Sequence, residues 1–313
     1  MPERERFLVT GALGCIGAWV CRTLVEEGVP VVAFDLGTSR HRLELVMTPD
    51  QLREVSFVAG DITDLAGLER ALDEHEATHV VHLAAMLIPL AKADPPRGAL
   101  VNVAGTQNVF EAVRRRRGRI AGLAYASSAA VYDASAGTEV PEDAPGHPVT
   151  LYGVHKQANE GAARVLWLDD DVPSLGLRPY IVYGPGRDGG LTAAPTLAMA
   201  AAARGESYRI PFGGRAQYHY APEAARAFVE GARSAREGAV VRNLGGPGVG
   251  MDEIVRAIEA AVPAAGITYD AETILPFPER FESSAPLTTP LERGVRETVE
   301  LLRGAQDSET RTA

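Results

Sequence analysis

At 313 residues, 46% of them hydrophobic and 23% charged, the chain has the balance of an ordinary globular protein and is neither disordered, collagen-like nor disulfide-stapled. A formal net charge of −10 argues against nonspecific attraction to nucleic acid or anionic membrane, and no apolar run approaches the ~20 residues of a membrane span. Cys15 and Cys21 make no disulfide framework, and the N-terminus lacks the apolar stretch of a signal peptide, so the cytoplasm is the expected compartment.

In chain order, the first half alternates strand-like and helix-like runs. Strands are predicted at 6–10, 30–35, 55–59, 78–84 and 120–127, with helices at 15–27, 65–75 and 97–116 between them. Near-continuous apolar runs such as Val80-Val81-His82-Leu83-Ala84 suit strands covered on both faces, so the alternation predicts a doubly wound parallel α/β sheet. Arg114–Arg117 and Arg119 close the third helix, where cations offset the negative pole of the dipole, and they read as a solvated helix end. Beyond Tyr180 shorter elements are separated by Gly/Pro-rich connectors, which predicts a smaller region over the carboxyl edge of the sheet. The expected division is 1–178 for a dinucleotide-binding domain, with 222–243 returning to it. Residues 179–221 and 244–303 form a substrate-binding region, and 304–313 a flexible polar tail.

Gly11, Gly14 and Gly17 follow the first strand and open the first helix. Their lack of side chains permits a tight turn in which backbone N–H groups, including those around Leu13, Cys15 and Ile16, approach a pyrophosphate at the helix N-terminus. Asp35 ends the second strand, where a carboxylate accepts both ribose hydroxyls and repels a 2′-phosphate, so NAD is expected in preference to NADP. Arg40 and Arg42, close behind, are the residues that would argue the other way.

The Thr10-Gly11-x-x-Gly14-x-x-Gly17 spacing resembles that of the extended short-chain dehydrogenase/reductases, the NAD-dependent epimerase/dehydratase family. The resemblance extends over most of residues 6–235. Asp61 and Ile62 resemble the segment that contacts adenine, Leu83, Ala84 and Ala85 the strand end beside the nicotinamide ribose, and Asn102 the start of the central helix. It implies a Rossmann-like fold, NAD as cofactor, a sugar-like small-molecule substrate, and a homodimer formed by helices at 97–116 and 149–168.

Tyr152 and Lys156 lie one helical turn apart, where a cation lowers the phenol's pKa and lets it take a proton from a substrate hydroxyl. Together with Ser128, they match the family's catalytic residues. Counting back from Val131-Tyr132 selects Ser128 over Ser127, which stays with Met86 as a candidate substrate neighbour. Ala129-Ala130 stand where sugar dehydratases carry Asp-Glu, so the pattern is similar to that of a sugar 4-epimerase or a net dehydrogenase. Two positions depart from nucleotide-sugar members: Ile181 replaces an Asn, and Ala216 an Arg that grips the diphosphate. Arg187 and Arg215 are the candidate replacements. A free sugar, a sugar acid or another small hydroxy compound therefore competes as substrate, and a catalytically silent NAD-binding protein is the rival of another class. His75, His79 and His82 are expected to be structural rather than metal ligands.

Overall fold

The computed structural model describes residues 5–133, 135 and 137–312; the first four residues and residue 313 of the expected tail lie outside the described residues. Its centre is a sheet of parallel strands: β1 (Phe7–Thr10), β2 (Val31–Asp35), β3 (Val55–Ala59), β4 (His79–His82) and β5 (Gly122–Ala126), continued by Ser174–Arg178, Ala239–Gly245 and Ala285–Pro286. The spatial order is β3-β2-β1-β4-β5, then Ser174–Arg178, Ala239–Gly245 and Ala285–Pro286. The order reverses between β1 and β4, and at such a switch point the diverging connections leave a crevice at the carboxyl ends of the strands.

Sequence pattern explains the layers. β1, β4 and Ser174–Arg178 are buried along their whole length because helices cover both faces. The helix Leu65–Glu74 buries Leu68, Ala71 and Leu72, an i, i+3, i+4 stripe, against one face. The first helix, α1 (Cys15–Glu26), and the helix Ala221–Ser234 cover the other face, where Trp19, Val20 and Leu24 join Phe228 and Val229 in one core. Thus 221–245, after the excursion of 181–220, rejoins the main sheet through that helix and the pairing of Ala239–Gly245 with Ser174–Arg178.

A separate core holds the smaller region together. Ile181–Tyr183 pairs in parallel with 218–220, and Arg215–Gln217 pairs antiparallel with Gly248–Gly250. The helices Ala194–Ala203, Met251–Ala261 and Leu291–Thr312 pack around Ile181, Tyr183, Met199, Ala216 and Ile254.

One predicted element differs in detail. The helix expected at 97–116 consists of Pro95–Ala99, a wide π-turn stretch at Leu100–Gly105, and Thr106–Arg114. The terminal helix Leu291–Thr312 runs on past Gly304 through the polar stretch of the expected tail. The basic cluster is consumed by acids: Arg114 and Arg115 bind Glu111, while Arg116 and Arg119 bind Asp73. No helix among the described residues is long and apolar enough to cross a membrane.

Candidate active site

The crevice at the switch point is a cleft of about 800 Å³ that takes in both the glycine turn and the Ser128, Tyr152 and Lys156 side chains. At its β1 end the backbone comes unusually close to neighbouring chain. Gly11 has φ +68°, and a Cβ there would stand 2.6 Å from the Ala84 backbone N; one on Gly17 would stand 2.3 Å from the Gly11 carbonyl oxygen. Only glycine fits either place. No side chain caps α1 at Gly14, so the amide-rich end of a twelve-residue helix faces the cleft. Leu13, Cys15 and Ile16 line the same turn.

Asp35, at the end of β2, is held by two backbone amides, Leu13 N–H at 2.9 Å and Gly37 N–H at 2.9 Å. Each carboxylate oxygen keeps acceptor capacity toward the cleft. Asp61 accepts from Thr63 N–H and from Arg97; although burial works in the other direction, those hydrogen bonds hold its pKa below the ordinary carboxylate value. Ile62 forms the floor beside it, and Leu83, Ala84 and Ala85 line the cleft at the end of β4. Buried Asn102 fixes the next residue from the π-turn stretch, accepting from Met86 N–H at 2.7 Å and donating to Met86 O at 2.9 Å. The uncapped helix end, the space that a Cβ would fill and the Asp35 carboxylate together fit a dinucleotide.

The catalytic candidates meet at the β5 end. Thr150 caps the helix Leu151–Asp170, its side chain accepting from Gly153 N–H at 3.0 Å, and this presents Tyr152 and Lys156 on one face. Lys156 is buried and donates to the Ala126 carbonyl at 2.7 Å, with its nitrogen 5.4 Å from the Tyr152 ring centroid. Burial lowers its pKa to about 8, against the opposing charge of Glu160. The Tyr152 phenol goes the other way from the sequence expectation. Burial raises it to about 12, and the Ser128 hydrogen bond and the Arg187 charge only partly offset this. Lys156 spends a hydrogen bond on the Ala126 carbonyl, and burial outweighs the charges around the phenol.

The two serines separate cleanly. The Ser128 hydroxyl accepts from Ala130 N–H at 3.1 Å and shares the cleft with Tyr152. Ser127 instead donates to Glu160, which makes a bidentate 2.7 Å pair with Arg178. Ser127 lines the cleft but spends its donor on that ion pair.

Toward the smaller region, the walls are Met86, Leu87, Ile88, Val182, Leu191 and Phe277, with Arg187 as the charged group. Arg187 donates to Thr192 Oγ1 at 3.1 Å, while its Nε is buried without a partner. Arg215 is not brought here, contrary to expectation: it points to Glu253 at 3.1 Å and to the Gly248 carbonyl at 2.6 Å, drawn by the antiparallel pairing of its strand. Ile181 and Ala216 face the smaller core rather than the cleft. Leu87, Leu191 and Phe277 had no recognisable spacing; the Gly184-Pro185-Gly186 turn was the only signal that a loop would close this side.

Of the histidines singled out in the sequence, His79 and His82 are buried in the central sheet. His82 bridges Thr10 Oγ1 at 2.7 Å and Thr106 Oγ1 at 3.0 Å, and burial lowers its pKa to about 3. His79 stacks on Phe7 with ring centroids 4.8 Å apart. Among the described residues, no group of three His, Cys, Asp or Glu side chains is arranged to hold a metal ion.

The model of the family described as "NAD dependent epimerase/dehydratase" matches residues 7–245. The chain is 33% identical over 185 residues to UDP-glucuronate 4-epimerase 2 of Arabidopsis thaliana, covering 57% of this chain and 42% of that protein. It spans about half the length of several curated relatives that it matches. Among solved structures, UDP-glucose 4-epimerase of Thermus thermophilus in complex with NAD superposes with a TM-score of 0.77 at 26% identity, covering 96% of this chain and 100% of that one. L-threonine dehydrogenase of Clostridium difficile gives a TM-score of 0.83 at 20% identity, covering 96% and 98%, a likeness of fold.

Proposed function

The chain belongs to the NAD-dependent epimerase/dehydratase family, and from that membership we propose an NAD-using epimerase or oxidoreductase acting on a secondary hydroxyl of a sugar-like substrate. The observation that carries this reading is the meeting of Ser128, Tyr152 and Lys156 in one cleft with the glycine turn and Asp35. NAD, when bound, supplies the hydride acceptor. Gly11, Leu13, Gly14, Cys15, Ile16 and Gly17 would seat its pyrophosphate, and Asp35 a ribose. Asp61 and Ile62 would flank its adenine, with Leu83, Ala84, Ala85, Asn102, Tyr152 and Lys156 around the nicotinamide end.

The residues divide the proton chemistry among themselves. Ser128 Oγ orients the substrate oxygen toward Tyr152, and Tyr152 Oη takes its proton. In the empty cleft burial keeps the phenol protonated at neutral pH, and the phenolate is the form that takes the substrate's proton, so a positive charge arriving beside it, which favours the phenolate, has a large effect. Lys156 holds the helix face to Ala126 and supplies the buried cation. Ala129 and Ala130 offer neither acid nor base, which favours a reaction that begins and ends at a hydroxyl.

A second reading is supported by Ile181 and Ala216 in the smaller core and by Arg215 on Glu253. These withhold the expected diphosphate donors, so net dehydrogenation of a small hydroxy compound such as a sugar acid competes with nucleotide-sugar epimerisation. A screen of sugars, aldonates and nucleotide sugars tests both. Isomer formation without NADH release supports epimerisation, steady NADH release supports dehydrogenation, and NAD binding with no turnover on any of them counts against an enzyme. Weak calorimetric binding of uridine diphosphate to the NAD-loaded protein is expected on the second reading, and micromolar binding would restore the nucleotide sugar. The same proposal includes a homodimer: Leu100, Val154, Val165 and Leu168 are exposed on the helices expected to form it. A monomer mass independent of concentration in sedimentation would refute that part.

A further inference from the structure

The three basic residues after β2 are all committed elsewhere. Arg40 lies over the Phe57 ring, 3.6 Å from its centroid. Arg42 uses all three of its nitrogens: Nη2 donates to Asp188 Oδ1 at 2.7 Å, Nε reaches both Asp188 oxygens at 3.1 Å, and Nη1 donates to the Leu13 carbonyl at 2.9 Å. His41 Nε2 lies 3.0 Å from Asp188 Oδ2. Leu13 is also the residue whose N–H holds Asp35. The Arg42 guanidinium and the group read as the ribose acceptor therefore bond the same residue, and both line the cleft.

We infer that Asp188 is a cofactor-specificity residue: by engaging Arg42 and His41 from the loop whose neighbours Arg187 and Gly190 line the cleft, it withholds the cations that a 2′-phosphate would need. The inference rests on the reading of Asp35 as the ribose-binding carboxylate and adds a second layer to it. Asp35 repels a 2′-phosphate directly, and Asp188 removes the compensation. Discrimination of this kind depends on the difference between two affinities, so denying the wrong ligand its partners counts as much as contacting the right one. A 2′-hydroxyl needs no cation, so NAD binding loses nothing by the arrangement.

The loop that carries Asp188 has anchors of its own. Trp19 Nε1 donates to Pro185 O at 2.9 Å, and Gly184 N–H donates to Thr196 Oγ1 at 3.1 Å. The Asp188 carboxylate and the Arg42 side chain are partly exposed, so their pair adds little to stability. Replacing Asp188 should free the guanidinium without dismantling the loop.

The test compares NAD and NADP dissociation constants by calorimetry for the wild type, Asp188→Ala, Asp188→Asn, Arg42→Ala and the Arg42→Ala/Asp188→Ala double variant. The expected result is that Asp188→Ala moves the NADP-to-NAD ratio about tenfold toward NADP, with Asp188→Asn shifting it the same way, and that the double variant returns to the wild-type ratio. An unchanged ratio in both Asp188 variants, or a gain that survives loss of Arg42, overturns the inference. Asp35→Asn separates this from the reading beneath it. If Asp35→Asn shifts the ratio and the Asp188 variants do not, only the role of Asp188 fails; if Asp35→Asn shifts nothing, the ribose reading fails with it.

Discussion

The half of the cleft built on β1, β2 and β3 takes its groups from consecutive strand-to-helix turns between Gly11 and Asp61, whereas the half facing the smaller region gathers Met86, Tyr152, Arg187 and Phe277 from segments far apart in the chain. In the first half the polar positions are set by backbone: Asp35 is held by two amides, and the helix end is bare. In the second half side chains on side chains join the backbone contacts of Lys156 and Ser128, with Ser127 tied to Glu160, Glu160 to Arg178, and Arg187 to Thr192. On the reading proposed above, the seat of the cofactor follows from turn geometry, while its discrimination by Asp188 and the recognition of substrate depend on how distant loops meet.

If the division is correct, a change in the second half damages chemistry and spares cofactor binding. Tyr152→Phe keeps the ring and removes the proton acceptor, so turnover should fall by at least about 10²-fold with the NAD dissociation constant near that of the wild type. Retained activity would transfer the base role to another group, for which buried His155 is the nearest in sequence. A change in the first half should do the reverse. Gly11→Ala places a methyl group 2.6 Å from the Ala84 nitrogen at φ +68°, so NAD binding should weaken by about tenfold or more, with a lowered Tm. Normal binding in that variant would mean the turn can relax.

A smaller effect sharpens the comparison inside the first half. With Asp35 facing the ribose, NAD should bind at least about tenfold, or ~1.4 kcal/mol, more tightly than NADP. Equal binding would show that Arg40 or Arg42 leaves its present partner. The smallest effect concerns the seam between the halves, where His82 bridges Thr10 and Thr106. Its folded pKa of about 3 lies below the ordinary 6.5, so as pH falls the unfolded chain takes up the proton first. Its contribution to stability is full above 6.5 and is lost as the pH falls toward about 3, with buried His219 acting in the same direction. His82→Gln should flatten the fall of Tm across that range, and an unchanged slope would remove His82 from the account.

The same contrast explains what the sequence made legible. Strand alternation, the glycine turn, Asp35 and the Tyr152–Lys156 spacing are local patterns, and each lies in or beside the cleft. Ser128 is chosen over Ser127 in the sequence only through its spacing from Tyr132; the bond of Ser127 to Glu160, thirty-three residues away, lies outside any local window. Arg215 was misplaced because a strand residue's direction depends on its partner, here Gly250. The direction of the Tyr152 shift was not legible because sequence shows a cation nearby but not that the phenol is buried. Asp188 had no signal at all, since its partners lie 146 residues away or more.

The central claim is that the site oxidises a secondary hydroxyl, with the proton leaving through Tyr152. It is tested most directly by mixing the NAD-loaded protein with the best hydroxy substrate from the screen and following nicotinamide absorbance, once with hydrogen and once with deuterium on the hydroxyl-bearing carbon. Reduced nicotinamide that appears more slowly from the deuterated substrate, and is absent in Tyr152→Phe, is the expected result. Conversion of the substrate with no reduced nicotinamide and no isotope effect would contradict it.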